Sequence, residues 1–452
     1  MTTFAEPQVA GGELATDYLD VPLEQAIDRG WVHEVEVAWP DQGGHVLGKR
    51  IPARRFLGHV AAGGFTFCDA ALAWNLVGEV VDDARLSNAS TGYPDAFAVP
   101  DLSTARPLPW RKRTIQVIAD VVDHHGQPVR TSPREVLRRV VGRLAELGFS
   151  ARVGVELEFF LLQADGTLPP QLLQCYSLEK ANELDPALEQ IVDTVHGFVP
   201  LEGVHTEYAP AQVELNLHHA EAVTAADDAF RLRYAVREAA RRAGQLATFM
   251  AKPFSEWSGS SQHLHVSLWR DGKPAFASDD LVEPAAARHA IGGLLAHLPG
   301  ITVFGAPTVN SYKRYTVASF APTTASWSGD NRTGAVRSLI EAPEATRIEL
   351  RTPAADANPY WAVAAALAAV VAGLESAAEP PSRRAGDLYA GGGPPLPATL
   401  GEAVDAARAD SRIAEILGED AVHDFLVLAE SEWSAYSREV TQWERDRYLR
   451  NR

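Results

Sequence analysis

The chain has few cysteines and fewer basic than acidic residues. Cys68 and Cys175 are the only two cysteines among 452 residues, too few for a disulfide framework, so we expect a reducing compartment. Lys and Arg number 41 against 59 Asp and Glu, which gives a formal net charge of -18. Proteins bind a phosphate backbone through clustered Lys and Arg, so this balance argues against a nucleic-acid partner.

The sequence also lacks an apolar run long enough to cross a bilayer. The segment YWAVAAALAAVVAGL at 360–374 is apolar but falls short of the roughly 20 residues that a transmembrane helix needs. We expect a buried core helix there, capped by Asp356 or Asn358, with Pro359 in its first turn. The segment MTTFAEPQVAGGELATD has neither the basic flank nor the apolar run of a signal peptide. These absences predict a cytoplasmic protein with no membrane partner.

Composition predicts two domains that divide near residue 110. Residues 1–110 contain short strand-like runs such as WVHEVEVAW between loops rich in Gly and Pro, which is typical of a small β-rich domain. Residues 111–452 alternate strands with amphipathic helices, as expected of a catalytic domain. We interpret TIQVIADVV as the first strand of this second domain.

Four segments alternate apolar residues with acidic or basic ones, so each predicts a strand with one polar face. In RVGVELEFFLL the polar face carries Glu156 and Glu158. The other polar faces carry Glu214 in AQVELNL, His263, His265 and Ser267 in QHLHVSLW, and Arg347, Glu349 and Arg351 in TRIELRTP. A single strand with this pattern is common in antiparallel sheets, which often have one face exposed to solvent. Four strands with this composition favour a functional surface.

Clustered carboxylates repel one another and have raised pKa values unless cations neutralise them. Mostly oxygen ligands with an imidazole suit Mg²⁺ or Mn²⁺, and the absence of cysteine ligands argues against structural zinc. Carboxylate-held magnesium beside several arginines is what phosphoryl transfer requires. The chain has no GxxxxGK[ST] motif, so an ATP site must be of another design. The residues predict a metal- and ATP-dependent transfer enzyme.

Six motifs then occur in order between residues 152 and 360: GVELEFF, TEYAPAQVELNL, FMAKPFSEWSGSSQHLHVSLW, NSYKRY, DNRTGAVR and RIELRTPAADANPY. Together they resemble the glutamine synthetase family. The resemblance implies an α+β fold, with a small N-terminal β-grasp domain and a larger catalytic domain built on a curved antiparallel sheet with helices. It also implies a homo-oligomer of stacked rings, a dodecamer, in which each site is completed by the neighbour's N-terminal domain.

The resemblance implies a role for each matching position. One metal would be held by Glu158, Glu207 and Glu214, and a second by Glu156, His263 and Glu349. Glutamate would contact Gly259, Arg314, Arg332 and Arg351, and the nucleotide with its phosphates would contact His265, Ser267, Arg337 and Arg347. In the implied reaction ATP phosphorylates the glutamate side chain, and an amine attacks the resulting γ-glutamyl phosphate. Arg332 would stabilise the departing phosphate.

Two departures from the family concern the amine. Ammonia-using members carry a glutamate in the loop after NSYKR, where this chain has Phe320. Their other ammonium contact lies in an FDGSS-like stretch of the neighbouring N-terminal domain, where FCDAAL keeps one acid, Asp69. A small cation needs a carboxylate beside it, and Phe offers only a weak π face. We therefore expect an organic primary amine as nucleophile and a γ-glutamyl amide as product.

The sequence does not separate polyamine, ethanolamine, alkylamine and aniline substrates. Two other functions also stay open. A glutamine synthetase that uses ammonia would need an amine site rebuilt by other residues. A catalytically silent relative with a structural or regulatory role usually loses metal ligands, whereas all six ligand positions are filled here.

Overall fold

The computed structural model describes residues 21–169, 175–278, 282–340, 345–389 and 391–450. The strands are β1 Glu34–Pro40, β2 Val46–Pro52, β3 Phe65–Cys68, β4 Asp95–Pro100, β5 Arg106–Pro107, β6 Thr114–Val122, β7 Ser150–Gln163, β8 Leu201–Thr206, β9 Gln212–Leu217, β10 Ala220–Glu221, β11 Gln245–Thr248, β12 Gln262–Arg270, β13 Lys273–Pro274, β14 Trp327–Ser328, β15 Val336–Leu339 and β16 Arg347–Leu350.

The helices are α1 Leu23–Asp28, α2 Ala53–Arg55, α3 Pro133–Glu146, α4 Leu178–Glu183, α5 Ala187–His196, α6 Ala222–Arg242, α7 Ala285–Gly305, α8 Pro359–Ser376, α9 Leu400–Ala409, α10 Ser411–Leu417, α11 Glu419–Arg438 and α12 Gln442–Tyr448. Strands and helices are both abundant, and most strand pairs are antiparallel. The α+β class is therefore confirmed.

The first sheet has the order β2-β1-β6-β4-β3, with β5 paired to β6. β6 is central, and it runs parallel to β1 and antiparallel to β4. The sheet therefore extends to Val122, past the division predicted at residue 110, and the prediction that TIQVIADVV opens the second domain is wrong. The parallel pairing with β1 joins residues far apart in sequence, so local composition does not show it.

The second sheet has the order β14-β15-β16-β12-β7-β9-β8. The four segments predicted to carry a polar face are β7, β9, β12 and β16, and they are neighbours in this sheet. Their apolar residues, such as Val155 and Leu264, are fully buried in one large core. Helices α3 and α6 contact β7 on that side. Burial of one face leaves the other face free to form a site.

Helix α8 is the core helix predicted from YWAVAAALAAVVAGL. The Asn358 side chain caps it by accepting a hydrogen bond from the Tyr360 N–H, and Pro359 occupies its first turn. At 18 residues the helix is longer than the apolar run seen in the sequence and is, among the described residues, the one helix long and apolar enough to span a membrane. However, 83% of those residues are buried inside the structure, as expected of a core helix. The Asn358 side chain also donates to the carbonyls of Asp41 and Gln42. These bonds join α8 to the turn between β1 and β2 of the first sheet.

Helices α7 and α8 approach closely where two glycines face each other. A Cβ on Gly373 would lie 2.1 Å from the His289 carbonyl oxygen and 2.7 Å from the Gly293 Cα. Both neighbours are backbone atoms, which cannot move aside without shifting a helix. By contrast, a Cβ on Gly142 in α3 would meet no atom within 4 Å.

We predict that Gly373→Ala lowers the free energy of unfolding by about 1–3 kcal/mol, because the added methyl group forces the two helices apart. Gly142→Ala is the matched control, and we expect it to raise stability by up to about 1 kcal/mol through helix propensity. Urea unfolding followed by circular dichroism measures both changes. An equal gain in stability for the two variants would contradict the close packing.

Candidate active site

The polar face of β16, β12, β7 and β9 forms the floor of a cleft of about 650 Å³. Residues directly opposite one another in the sheet are His265 and Glu349, His263 and Glu156, and Glu158 and Glu214. Opposed residues point to the same side of a sheet, so this register gathers the predicted acidic and imidazole groups in one place. The alternation seen in the sequence is therefore confirmed.

One half of the floor is built from carboxylates. Glu158 accepts hydrogen bonds of 2.9 Å from the Gln212 side chain and from the Ser261 N–H, both neutral donors. Burial raises the pKa of Glu158 well above its usual value, and the charges of Glu207 and Glu214 raise it further. Burial and neighbouring carboxylates raise the pKa of Glu214 as well. A cation bound here would remove the repulsion that opposes ionisation.

In the other half of the floor, imidazole and guanidinium side chains already lie beside the acids. Burial opposes the ionisation of Glu156, but His263 and His265 outweigh it and lower its pKa, with ring nitrogens 3.3 and 2.9 Å from its oxygens. Burial likewise opposes the ionisation of Glu349, and Arg351 with the two histidines lowers its pKa to about 2. This half is ionised without a metal.

The donor set fits divalent cations. Three groups each bring three possible ligand atoms within 4.8 Å of one another: Glu156, Glu214 and His263; Glu156, His265 and Glu349; and His205, Glu207 and Glu214. The His263 Nε2 atom is buried without a hydrogen-bond partner among the described residues, as an imidazole nitrogen kept for a metal would be. Carboxylates with imidazole suit Mg²⁺ or Mn²⁺.

These groups do not reproduce the two ligand triads that the sequence implied. Glu158 belongs to none of them, and His265, expected to contact nucleotide, joins one. One oxygen of Glu158 accepts hydrogen bonds from both Gln212 and Ser261, which leaves the other oxygen for a metal. The division of ligands between two metals stays a prediction.

His205 is a site residue that the sequence analysis missed. It lies on β8 opposite Glu214, and its Nε2 atom is 3.1 Å from a Glu207 oxygen and 3.5 Å from a Glu214 oxygen. Alternation along GVHTEY puts His205 and Glu207 on one face of a strand, and this pattern could have identified His205 as a site residue.

Most residues expected to hold glutamate or nucleotide line the cleft. They are Gly259, Arg332 and Arg351, together with His265, Arg337 and Arg347. Arg347 donates to the His265 Nδ1 atom at 3.1 Å, which fixes that nitrogen as an acceptor. Arg337 forms ion pairs with Glu349 and Asp330. The guanidinium groups thus stand beside the carboxylate floor, as phosphate binding requires.

Arg314 and Ser267 do not line the cleft. Arg314 is 1% exposed and donates to the carbonyls of Thr352 and Pro353. Its side chain packs against Gly259 so closely that a Cβ there would lie 2.4 Å from the Arg314 Cγ. Ser267 lies further along β12, where it accepts a hydrogen bond from the Trp269 indole. Arg314 therefore supports the wall at Gly259, and contact with a substrate stays a prediction for both residues.

The loop 310–333 presents Phe320 to the cleft. Phe320 is 49% exposed, has a positive φ of 57°, and its carbonyl accepts a hydrogen bond from Arg351 at 3.3 Å. Of the other aromatic residues in the loop, Tyr312 and Trp327 are buried, and the Tyr315 hydroxyl donates to the Thr352 carbonyl. None of these three residues lines the cleft. Phe320 is therefore the aromatic residue of this loop that faces the site.

Asp69 lies outside the cleft of its own chain. It is 4% exposed in the turn Asp69–Leu72 and accepts a hydrogen bond from the Ser87 hydroxyl at 2.5 Å. Burial raises its pKa. Within one chain the structure does not bring Asp69 to the other predicted site residues.

The glutamine synthetase catalytic-domain family model matches residues 130–448. The chain belongs to the glutamine synthetase family. Its relatives include enzymes that are named for different amines. It is 31% identical to the glutamate–isopropylamine ligase of a Pseudomonas species, over 94% of this chain and 96% of that protein. It is 33% identical to the gamma-glutamylethanolamide synthetase of Streptomyces coelicolor, over 93% of this chain and 94% of that protein.

Other members of the glutamine synthetase family match over a smaller share. The glutamine synthetase of Rhizobium leguminosarum bv. phaseoli is 36% identical over 79% of this chain and 86% of its own length. Among solved structures, a GmaS/ADP complex superposes with a TM-score of 0.84 at 31% identity, covering 94% of this chain and 99% of that one. Sequence and structure thus both show the family.

We predict that Mn²⁺ binds the metal-free protein more tightly as pH rises. Glu158 and Glu214 have raised pKa values, so they hold protons that the metal must displace. The affinity should rise about tenfold per pH unit for one proton displaced. Calorimetric titration at about pH 6 and about pH 8, in buffers of different ionisation enthalpy, measures both affinity and proton release.

Glu214→Gln should weaken Mn²⁺ binding and reduce the proton release. Glu202→Gln, which changes an exposed acid on β8, is the control and should bind like the parent protein. Binding that is independent of pH, with no protons released, would refute the assignment of these carboxylates as ligands.

Proposed function

We propose that the enzyme joins the γ-carboxylate of glutamate to an organic primary amine, with ATP converted to ADP and phosphate. Phe320 is the observation that carries this proposal. It occupies the cleft wall where ammonia-using relatives are expected to place a carboxylate. Two relatives that match nearly the whole chain are named for isopropylamine and ethanolamine, which supports the same reading.

Different residues of the cleft would bind different parts of the substrates. Arg337 and Arg347 are placed beside the floor to bind phosphate oxygens, and Arg351 to bind a substrate carboxylate. The Arg332 side chain is 58% exposed and pairs weakly with Asp330 at 3.7 Å. It can therefore turn toward the phosphate that leaves γ-glutamyl phosphate, where one preorganised donor is worth about 3–4 kcal/mol.

Divalent cations, when bound, would supply positive charge that neutralises the charge developing on the phosphates. The carboxylates and imidazoles of the floor would hold them: Glu156, Glu158, Glu207, Glu214, His263 and Glu349. The acids with raised pKa values gain most from such ions, because the ions restore their charged form.

An attacking amine must lose a proton, and we propose that Asp69 of a neighbouring chain accepts it. Asp69 is remote from the cleft of its own chain but has the raised pKa that suits a proton acceptor. This proposal requires a homo-oligomer with sites between subunits, as the resemblance to ring-forming relatives implies.

We predict that Asp69→Asn and Glu158→Ala each abolish amine-dependent turnover, while oligomers assembled from a mixture of the two variants recover part of it. Recovery is expected because a mixed interface can combine an intact Asp69 with an intact Glu158 from different chains. Phosphate release from co-expressed variants measures it, with each variant alone as control. A mixture as inactive as its components would show that both residues act within one chain.

We predict that phosphate release with glutamate and ATP is faster with an organic amine than with ammonium. Phe320→Glu should improve ammonium use, because it supplies the carboxylate that a small cation needs. A panel of ammonium, ethanolamine, alkylamines, diamines, spermidine and aniline measures this preference.

Ammonium outperforming every organic amine would identify a glutamine synthetase, the function of the Rhizobium relative. Absence of Mg²⁺-dependent phosphate release with any member of the panel would identify a catalytically silent relative. Either result would reject the proposed function.

A further inference from the structure

Two exposed aromatic side chains stand together on the wall of the cleft. Phe320 is 49% exposed and Tyr208 is 47% exposed. Their ring centroids are 6.4 Å apart with planes inclined by 62°, an edge-to-face arrangement. Both rings line the cleft. Large apolar surfaces that a fold leaves uncovered inside a cleft are available to a ligand.

The backbone on both sides holds these rings in place. The Tyr208 N–H donates to a Glu207 oxygen at 3.0 Å, and the next residue, Ala209, is fully buried. Phe320 adopts a positive φ, which is uncommon for a bulky residue, and Arg351 binds its carbonyl. The backbone of Tyr208 is thus bonded to a carboxylate of the site, and the backbone of Phe320 to a guanidinium of the site.

We propose that Tyr208 and Phe320 form the subsite for the organic group of the amine, and that this group is an uncharged hydrocarbon chain or ring. The proposal rests on the proposed function, since it names the substrate class of that site. An amine that reaches the floor with its nitrogen must leave its carbon skeleton against the wall. Tyr208 and Phe320 supply aromatic surface on that wall.

The charges around the cleft disfavour an amine with a second ammonium group. Asp330, an exposed carboxylate of the cleft, is already paired with Arg337 and lies 3.7 Å from Arg332. A distal ammonium would therefore approach the positive charge of Arg332 and exchange its hydration for the weak attraction of an aromatic face.

Three amines of equal chain length test the substrate class. Butylamine, 3-aminopropanol and 1,3-diaminopropane each have three methylene groups after the reacting primary amine, and they differ at the far end, which is a methyl, a hydroxyl or an ammonium group. We expect butylamine to have the lowest KM, by about tenfold against each of the others, because only the methyl group gains from burial against the rings.

Variants of Tyr208 test the subsite itself. Tyr208→Ala should raise the KM for butylamine about tenfold and leave the KM values for glutamate and ATP unchanged, whereas Tyr208→Phe should behave like the parent. Tyr448→Ala is the matched control. Tyr448 is 52% exposed and makes an edge-to-face contact with Trp443 at 6.0 Å, but it lies on α12 outside the cleft.

Each contrary result has a separate meaning. A lower KM for 1,3-diaminopropane than for butylamine would show recognition of charge instead of hydrocarbon, and equal losses in Tyr208→Phe and Tyr208→Ala would assign recognition to the hydroxyl group. An equal change in Tyr448→Ala would remove the site-specific role. Each of these three results would reject the proposed hydrocarbon subsite, even though amine-dependent phosphate release persists. Absence of that release in the parent protein would instead reject the proposed function.

Discussion

Repulsion between buried carboxylates is the constraint on which the site depends. The register of β16, β12, β7 and β9 sets acids opposite one another on one face of a sheet whose other face is core. Imidazole and guanidinium groups compensate Glu156 and Glu349, whereas Glu158 and Glu214 meet other acids. The same sheet therefore contains a self-neutralised half and a half that favours an added cation.

Buried charges also fix the two sheets relative to each other. Arg134 at the start of α3 pairs with Asp120 on β6 of the first sheet, with Asp101 just after β4, and with Asp227 on α6. Its neighbours raise its pKa against the effect of burial. Removing one partner would leave an uncompensated charge inside the protein, which is costly. The network complements the bonds from Asn358 and gives the cleft a stable base.

Structural features that leave a repeating pattern in the local sequence could be predicted. Features that depend on contacts between residues far apart in the chain could not. Alternation with a period of two identified the polar face, because burial of one side of a strand leaves that pattern. The same rule would have found His205. The parallel pairing of β6 with β1 has no local signal, so the domain division was misplaced. The burial of Arg314 depends on its packing against Gly259, a contact that residue order does not reveal.

Arg351 binds both Glu349 on the floor and the Phe320 carbonyl on the wall. One side chain thus belongs to the surface expected to hold a carboxylate substrate and to the loop that carries the aromatic ring. A ligand that changes the position of this guanidinium changes the loop, and a ligand that presses on the loop changes the guanidinium. Thermodynamic linkage makes such effects reciprocal. A coupling between the two substrates through this guanidinium would therefore have the same size whichever substrate binds first.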